Sequence, residues 1–264
     1  MNSMDFKEFD MTLSDIERED LLSWAQGFIA LYTDYLSCNI FDSIVSEDDY
    51  CGCAYSDFEE NSFYDYLTYE PDYEIKNGAT KVVLVDNNSD WVVKIPITRG
   101  DNEIYYEDEN NFSSGKINFS SEYSYGGGNF GNDYCASEEL LYESLEQDRY
   151  FYFFLPTAYL GQIGGTPIYY SRKVNPSYSQ KISEKSKERT TQLRDSDKIT
   201  DLRYRSNMNE SIVEAFTEYY GIYTAIKLMR VCSQYEIQDL HSANYGILPS
   251  GRPVIIDYSG YFEG

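Results

Sequence analysis

The sequence predicts an α+β fold, and three observations carry that expectation. Residues 73–97 hold three β-branched or aromatic runs separated by turn residues. Two further strand-like runs flank the pair Gly164 and Gly165. Apolar residues recur at helical spacing from Leu21 to Tyr35 and again from Ile212 to Met229. A chain of 264 residues that is 42% apolar can bury one or two real cores and is not of disordered composition.

The elements follow in order. Ser14 and Glu17 fit a capping box, and behind them Leu21, Trp24, Ala25, Phe28, Tyr32 and Tyr35 predict an amphipathic helix over about residues 14–36. Residues 38–72 are acidic and tyrosine-rich and predict no definite element. A short strand at 73–75, a turn containing Gly78, a strand at 81–85, a loop at 86–90 and a strand at 91–97 read as an antiparallel meander. Residues 99–132 are poor in aliphatics and read as a long loop or insertion. A helix is expected at 134–149 and strands at 158–162 and 167–174. Residues 176–206 carry 8 Lys and Arg against 5 Asp and Glu, so they are locally basic and in part helical. From Asn209, the spacing of Ile212, Ala215, Phe216, Tyr219, Tyr223, Ile226 and Met229 predicts one long helix, and a loop, strand, turn and strand follow.

Charge and composition exclude several classes. The net charge is −24, and residues 1–75 hold 19 Asp and Glu against 2 Lys and Arg. Such a surface repels a phosphate polymer, which argues against direct nucleic-acid binding. It suits a basic protein partner, or mimicry of a nucleic-acid backbone. No run of about 18 apolar residues predicts a membrane span. The acidic, polar N-terminus is unlike a secretory leader, so a cytoplasmic location is expected. The five cysteines are scattered, and the C-x-C pair of Cys51 and Cys53 has no second pair at zinc spacing. His241 is the only histidine, which excludes a Cys₂His₂ zinc site and, with no Gly-x-Ser-x-Gly beside it, most Ser-His-Asp hydrolases. The 28 tyrosines, with abundant Asn, Asp, Ser and Ile, suit an AT-rich coding sequence of the kind found in phages and mobile elements.

The sharpest chemical signal lies in the last 27 residues, QDLHSANYGILPSGRPVIIDYSGYFEG. Asp239 is followed five residues later by Asn244, and Asp257 ends an apolar run of Val254, Ile255 and Ile256. One carboxylate that orients an acceptor hydroxyl, and an amide and a second carboxylate that hold Mg²⁺ on phosphates, are what phosphoryl transfer requires. This set resembles the catalytic loop and metal-binding Asp of the protein-kinase-like phosphotransferases. The stretch Asp-Leu-His-x-x-Asn is similar to that of the antibiotic and other small-molecule phosphotransferases. The likeness spans roughly residues 73–260 and is specific at its end.

The resemblance implies a two-lobed fold with a five-stranded antiparallel N-lobe sheet and a truncated, mainly helical C-lobe. Residues 1–72 would form an acidic helical region, 73–175 the N-lobe with an insertion at about 99–132, and 176–264 a minimal C-lobe. It implies ATP and Mg²⁺ as cofactors, with transfer of the γ-phosphoryl group to a hydroxyl acceptor. Lys94, in Trp-Val-Val-Lys, matches the lysine that contacts the α- and β-phosphates. Its helix partner would be Glu138, Glu139 or Glu143, with Glu139 favoured. Asp239 would be the catalytic Asp, and Asn244 and Asp257 the metal ligands. Gly78 stands where the family has its glycine-rich loop. A literal Gly-x-Gly-x-x-Gly at Gly126, Gly128 and Gly131 lies in the loop insertion with no strand before it. Only four residues follow Gly260, so no activation segment or peptide-binding helices are expected. These departures leave open a non-catalytic, pseudokinase-like binding protein that works through its acidic surface.

Overall fold

The computed structural model describes residues 7–43, 73–77, 81–96, 134–164, 166–194, 208–237 and 240–258. Gly78, Asp239, Gly260, the glycines at 126, 128 and 131, and the Cys51 and Cys53 pair lie outside the described residues. Among the described residues the chain is α+β, with a five-stranded antiparallel sheet, a three-stranded sheet and five α-helices. It folds as two compact units. A sheet unit contains residues 13–135 and 158–170, and a helical unit contains 1–12, 136–157 and 171–264. This division cuts across the boundaries expected after residues 72 and 175. The first long helix joins the sheet unit, while residues 1–12 join the helical unit. Among the described residues no helix is long and apolar enough to cross a membrane.

In the sheet unit, helix α1 (Asp15–Ser43) starts at the expected capping box. The Ser14 hydroxyl donates to Glu17 Oε2 at 2.7 Å, and Glu17 N–H donates back to Ser14 Oγ at 3.3 Å. Strands β1 (Glu74–Asn77), β2 (Lys81–Val85) and β3 (Trp91–Pro96) form the meander, and β4 (Thr157–Ile163) and β5 (Thr166–Arg172) complete a sheet of order β1-β2-β3-β5-β4. Every residue of β3 is buried, as for a central strand covered on both faces. Leu21, Ala25 and Phe28, at helical spacing on α1, are fully buried. The Trp91 indole donates to Glu17 Oε1 at 2.8 Å, and Arg18 donates to Leu160 O, so α1 lies across one face of the sheet. Trp91, Val93 and Ile95 therefore point toward α1, and Val92, Lys94 and Pro96 point to the other face.

In the helical unit, α2 (Tyr134–Gln147), α3 (Glu184–Arg194), α4 (Glu210–Tyr220) and α5 (Ile222–Gln234) surround a core that includes Phe153, Phe154, Phe216, Leu228 and Tyr258. Burying each such side chain contributes about 1.5–3 kcal/mol. The single long helix expected from Asn209 is two helices. Gly221, at φ +89° and ψ +161°, breaks the chain between them, a conformation open to glycine but strained for other residues. Asn209 caps α4 by accepting from Ser211 N–H at 2.9 Å. Strands β6 (Asn175–Pro176), β7 (Tyr245–Ile247) and β8 (Pro253–Ile255) form the small sheet, and two-residue β6 carries no signal in the sequence. Residues 7–12 are bound to this unit. Glu8 accepts from the N–H and hydroxyl of Ser250, Asp10 O accepts from the Arg172 guanidinium, and Phe9 meets Phe151 edge-on at 6.1 Å.

Candidate active site

Asn244 and Asp257 lie at the same end of the hairpin of β7 and β8, Asn244 just before β7 and Asp257 two residues after β8. The apolar runs on either side of residues 248–252 pair antiparallel, with Tyr245 opposite Ile255 and Ile247 opposite Pro253. Gly251, at φ +84°, turns the chain between them, and its N–H donates to Leu248 O at 2.8 Å. The pairing continues past the strand ends, because Ile256 N–H donates to Asn244 O at 2.9 Å. Asn244 thus sits beside the residue that precedes Asp257.

Both positions are anchored by their neighbours. Asn244 is 7% exposed and ends a 3-10 turn whose start is capped by His241, whose ring Nδ1 accepts from Ala243 N–H at 3.2 Å. His241 has a structural task in this turn. Tyr258, directly after Asp257, is fully buried; its hydroxyl donates to Leu155 O at 3.0 Å and its ring packs on Phe154. Tyr245 beside Asn244 is also buried, and that burial pushes its hydroxyl pKa up, against hydrogen bonds with Ser211 and Ser177. In the sequence Tyr258 stands where the resembled family has the Phe of Asp-Phe-Gly, whereas Tyr245 was given no role although it adjoins Asn244.

An amide oxygen and a carboxylate are hard donors of the kind Mg²⁺ takes. Among the described residues, no group of three or more His, Cys, Asp or Glu side chains is placed to hold a metal. Mg²⁺ usually keeps several waters and takes phosphate oxygens beside one or two protein ligands, so Asn244 and Asp257 would suffice as its protein share. Asp239 lies outside the described residues. It falls between Ile237 and Leu240, both buried, and Leu240 O accepts from Asn209 N–H at 2.7 Å at the start of α4.

Of the three helix glutamates, burial singles out Glu138. It is fully buried and its Oε2 accepts from the Thr157 hydroxyl at 2.7 Å, whereas Glu139, favoured from the sequence, is half-buried and Glu143 is exposed. A signal for this was present: Cys135, Glu138, Tyr142 and Leu145 follow one helical stripe, and Cys135 and Leu145 are fully buried. In the sheet unit Lys94 is 4% exposed, in the middle of β3 on the face away from α1. Lys81, which opens β2, is 5% exposed and was not singled out from the sequence. No protein-family model matches the chain, and no curated protein or solved structure matches it either.

Proposed function

We propose that the chain is a kinase-like phosphotransferase, its sheet unit corresponding to an N-lobe and its helical unit to a C-lobe. The observation that carries this reading is the backbone hydrogen bond from Ile256 N–H to Asn244 O, which supports it by setting Asn244 beside the residue that precedes Asp257. Mg·ATP, when bound, supplies the γ-phosphoryl group and the charge neutralisation its transfer needs. Asn244 and Asp257 would hold the metal. The Asp239 carboxylate would orient the acceptor hydroxyl and take its proton as the new O–P bond forms. The Lys94 ammonium would bind the α- and β-phosphates. The test is calorimetric titration with Mg·ATP, then turnover. Wild type should bind, and Asp257→Ala should lose the Mg-dependent part. Asp239→Asn should keep binding while losing turnover by about 10²-fold or more. Equal turnover by wild type and Asp239→Asn would refute the assignment.

A second reading is a binding module for a basic protein partner. It is favoured by a solvent-open cavity in the sheet unit lined by Glu17, Asp20, Asp86 and Asp90 together with Trp24 and Trp91. Carboxylates beside indole rings suit a basic side chain. Such binding should weaken steeply with salt. Recovery of no basic protein at low salt would count against it.

A further inference from the structure

We propose that Tyr258 is a positioning residue for Asp257, acting through the backbone of Leu155; the proposal rests on the phosphotransferase reading above. Strand β8 ends at Ile255, and residues 256–258 belong to no helix or strand. A metal-binding carboxylate on such a segment needs support from its surroundings to hold its place. Leu155 supplies that support from a distant part of the chain. Its N–H donates to Ile255 O at 2.8 Å, two residues before Asp257. Its carbonyl accepts from the Tyr258 hydroxyl at 3.0 Å, one residue after Asp257. Both polar backbone groups of one residue therefore bracket Asp257 in a closed hydrogen-bonded ring.

The corners of this ring are fixed by packing. Leu155 is 1% exposed, and Ile255 and Tyr258 are fully buried. Phe154 bridges to Ile255 in parallel register, and its ring centroid lies 5.1 Å from that of Tyr258. Ile256 N–H is tied to Asn244 O. Asp257, within the ring, is half-buried. A buried tyrosine hydroxyl usually finds some partner. This one is set apart by its acceptor, which belongs to the residue that already holds Ile255. Removing the hydroxyl opens the ring on the C-terminal side of Asp257. Groups that orient a metal ligand without touching the metal typically contribute about 10–100-fold in metal affinity. Tyr258 acts through backbone and not on the carboxylate itself, so the lower end applies.

The experiment is calorimetry on the full chain with ATP as the probe, once in Mg²⁺ and once in EDTA. Tyr258→Phe should weaken binding in Mg²⁺ about 10-fold and leave binding in EDTA unchanged. Tyr220→Phe is the control, because it also removes a hydroxyl that donates to a backbone carbonyl, Tyr152 O at 3.4 Å. It should match wild type in both conditions. If Tyr258→Phe loses nothing, or loses equally with and without Mg²⁺, the proposal is overturned and the phosphotransferase reading stands. If wild type shows no Mg-dependent binding of ATP, that reading fails and the proposal with it. Should Tyr258→Phe not fold, hydrogen exchange on the wild-type protein decides. Adding Mg²⁺ to the protein with ATP should slow the Leu155 and Ile256 amides more than those of α3. Slowing no greater than that of α3 would overturn the proposal.

Discussion

Gly246→Ala should be among the most damaging single-methyl changes in this protein. Gly246 is the middle residue of β7, paired with Pro176 on one side and Val254 on the other. A Cβ added there would overlap Val174 Cγ2, lie 2.8 Å from Val174 Cβ and lie 3.2 Å from Asn175 O. Rotating Val174 about χ1 moves Cγ2 but leaves Cβ in place, and Asn175 O belongs to the backbone. Relief therefore requires β6 and β7 to separate. Overpacking of this kind costs about 1–3 kcal/mol, against a gain of about 0.4–1 kcal/mol from a stiffer unfolded chain. Because the strain here falls partly on backbone, the net loss should lie at the upper end, about 2 kcal/mol. For a chain of this size that lowers Tm by about 4–8 °C. Scanning calorimetry at fixed pH and salt is the assay. Gly161→Ala is the comparator, since its nearest new contact is the flexible end of Leu22, at 3.3 Å from Cδ2. It should stay within about 0.5 kcal/mol of wild type. Adding Val174→Ala to Gly246→Ala removes the Cγ2 overlap only, so it should recover part of the loss. If Gly246→Ala melts no lower than Gly161→Ala, the close approach of β6 to β7 is wrong.

Three further outcomes are expected. Thr157→Val removes the hydroxyl that donates to buried Glu138, and should cost about 1–3 kcal/mol in denaturant unfolding; an unchanged midpoint would remove Glu138 as an anchored carboxylate. Ser14→Ala should cost about 1 kcal/mol by loss of the cap, and Glu17→Ala should cost more, because Glu17 also accepts from the Trp91 indole. Burial, and then the neighbouring Glu210, hold the Glu214 carboxyl pKa above its ordinary value. A carboxyl whose pKa is raised by folding loses stability as pH rises through that value, so Glu214→Gln should raise Tm near neutral pH. The gain should fade as pH falls through the raised pKa, where the wild-type carboxyl is neutral too. A gain that grows toward acid would refute the sign.

Much of the fold was legible because local signals agreed with the tertiary result. The capping box at Ser14 and Glu17 forms as read, and the strand at 81–85 has the expected bounds. The hairpin that joins Asn244 to Asp257 was legible because two apolar runs flank Pro-Ser-Gly-Arg, a sequence suited to a turn. The break at Gly221 was not legible. Apolar spacing continues in phase from α4 into α5, and a lone glycine inside such a pattern is tolerated in many helices. Only the positive φ of Gly221 separates the two. The choice among Glu138, Glu139 and Glu143 depended on which stripe of α2 is covered, a tertiary fact that the charges themselves do not reveal.

Lys94 shows why a buried strand hides its own orientation. Alternation of polar and apolar residues reveals which face of a strand is wet, but β3 is buried at all six positions, so its sequence carries no such alternation. What separates its faces is the partner each one meets. The Trp91 indole bonded to Glu17 assigns residues 91, 93 and 95 to α1, and one step of parity assigns Lys94 to the other side. The same parity, carried across the register with β2, brings Lys81 to that side and leaves Val82 and Leu84 under the helix. A shift of one residue in that register would exchange the two sets. It would drive Lys81 beneath α1 and put two aliphatic side chains on the lysine face. The arrangement of the two cations therefore depends on the meander register as much as on the residues themselves.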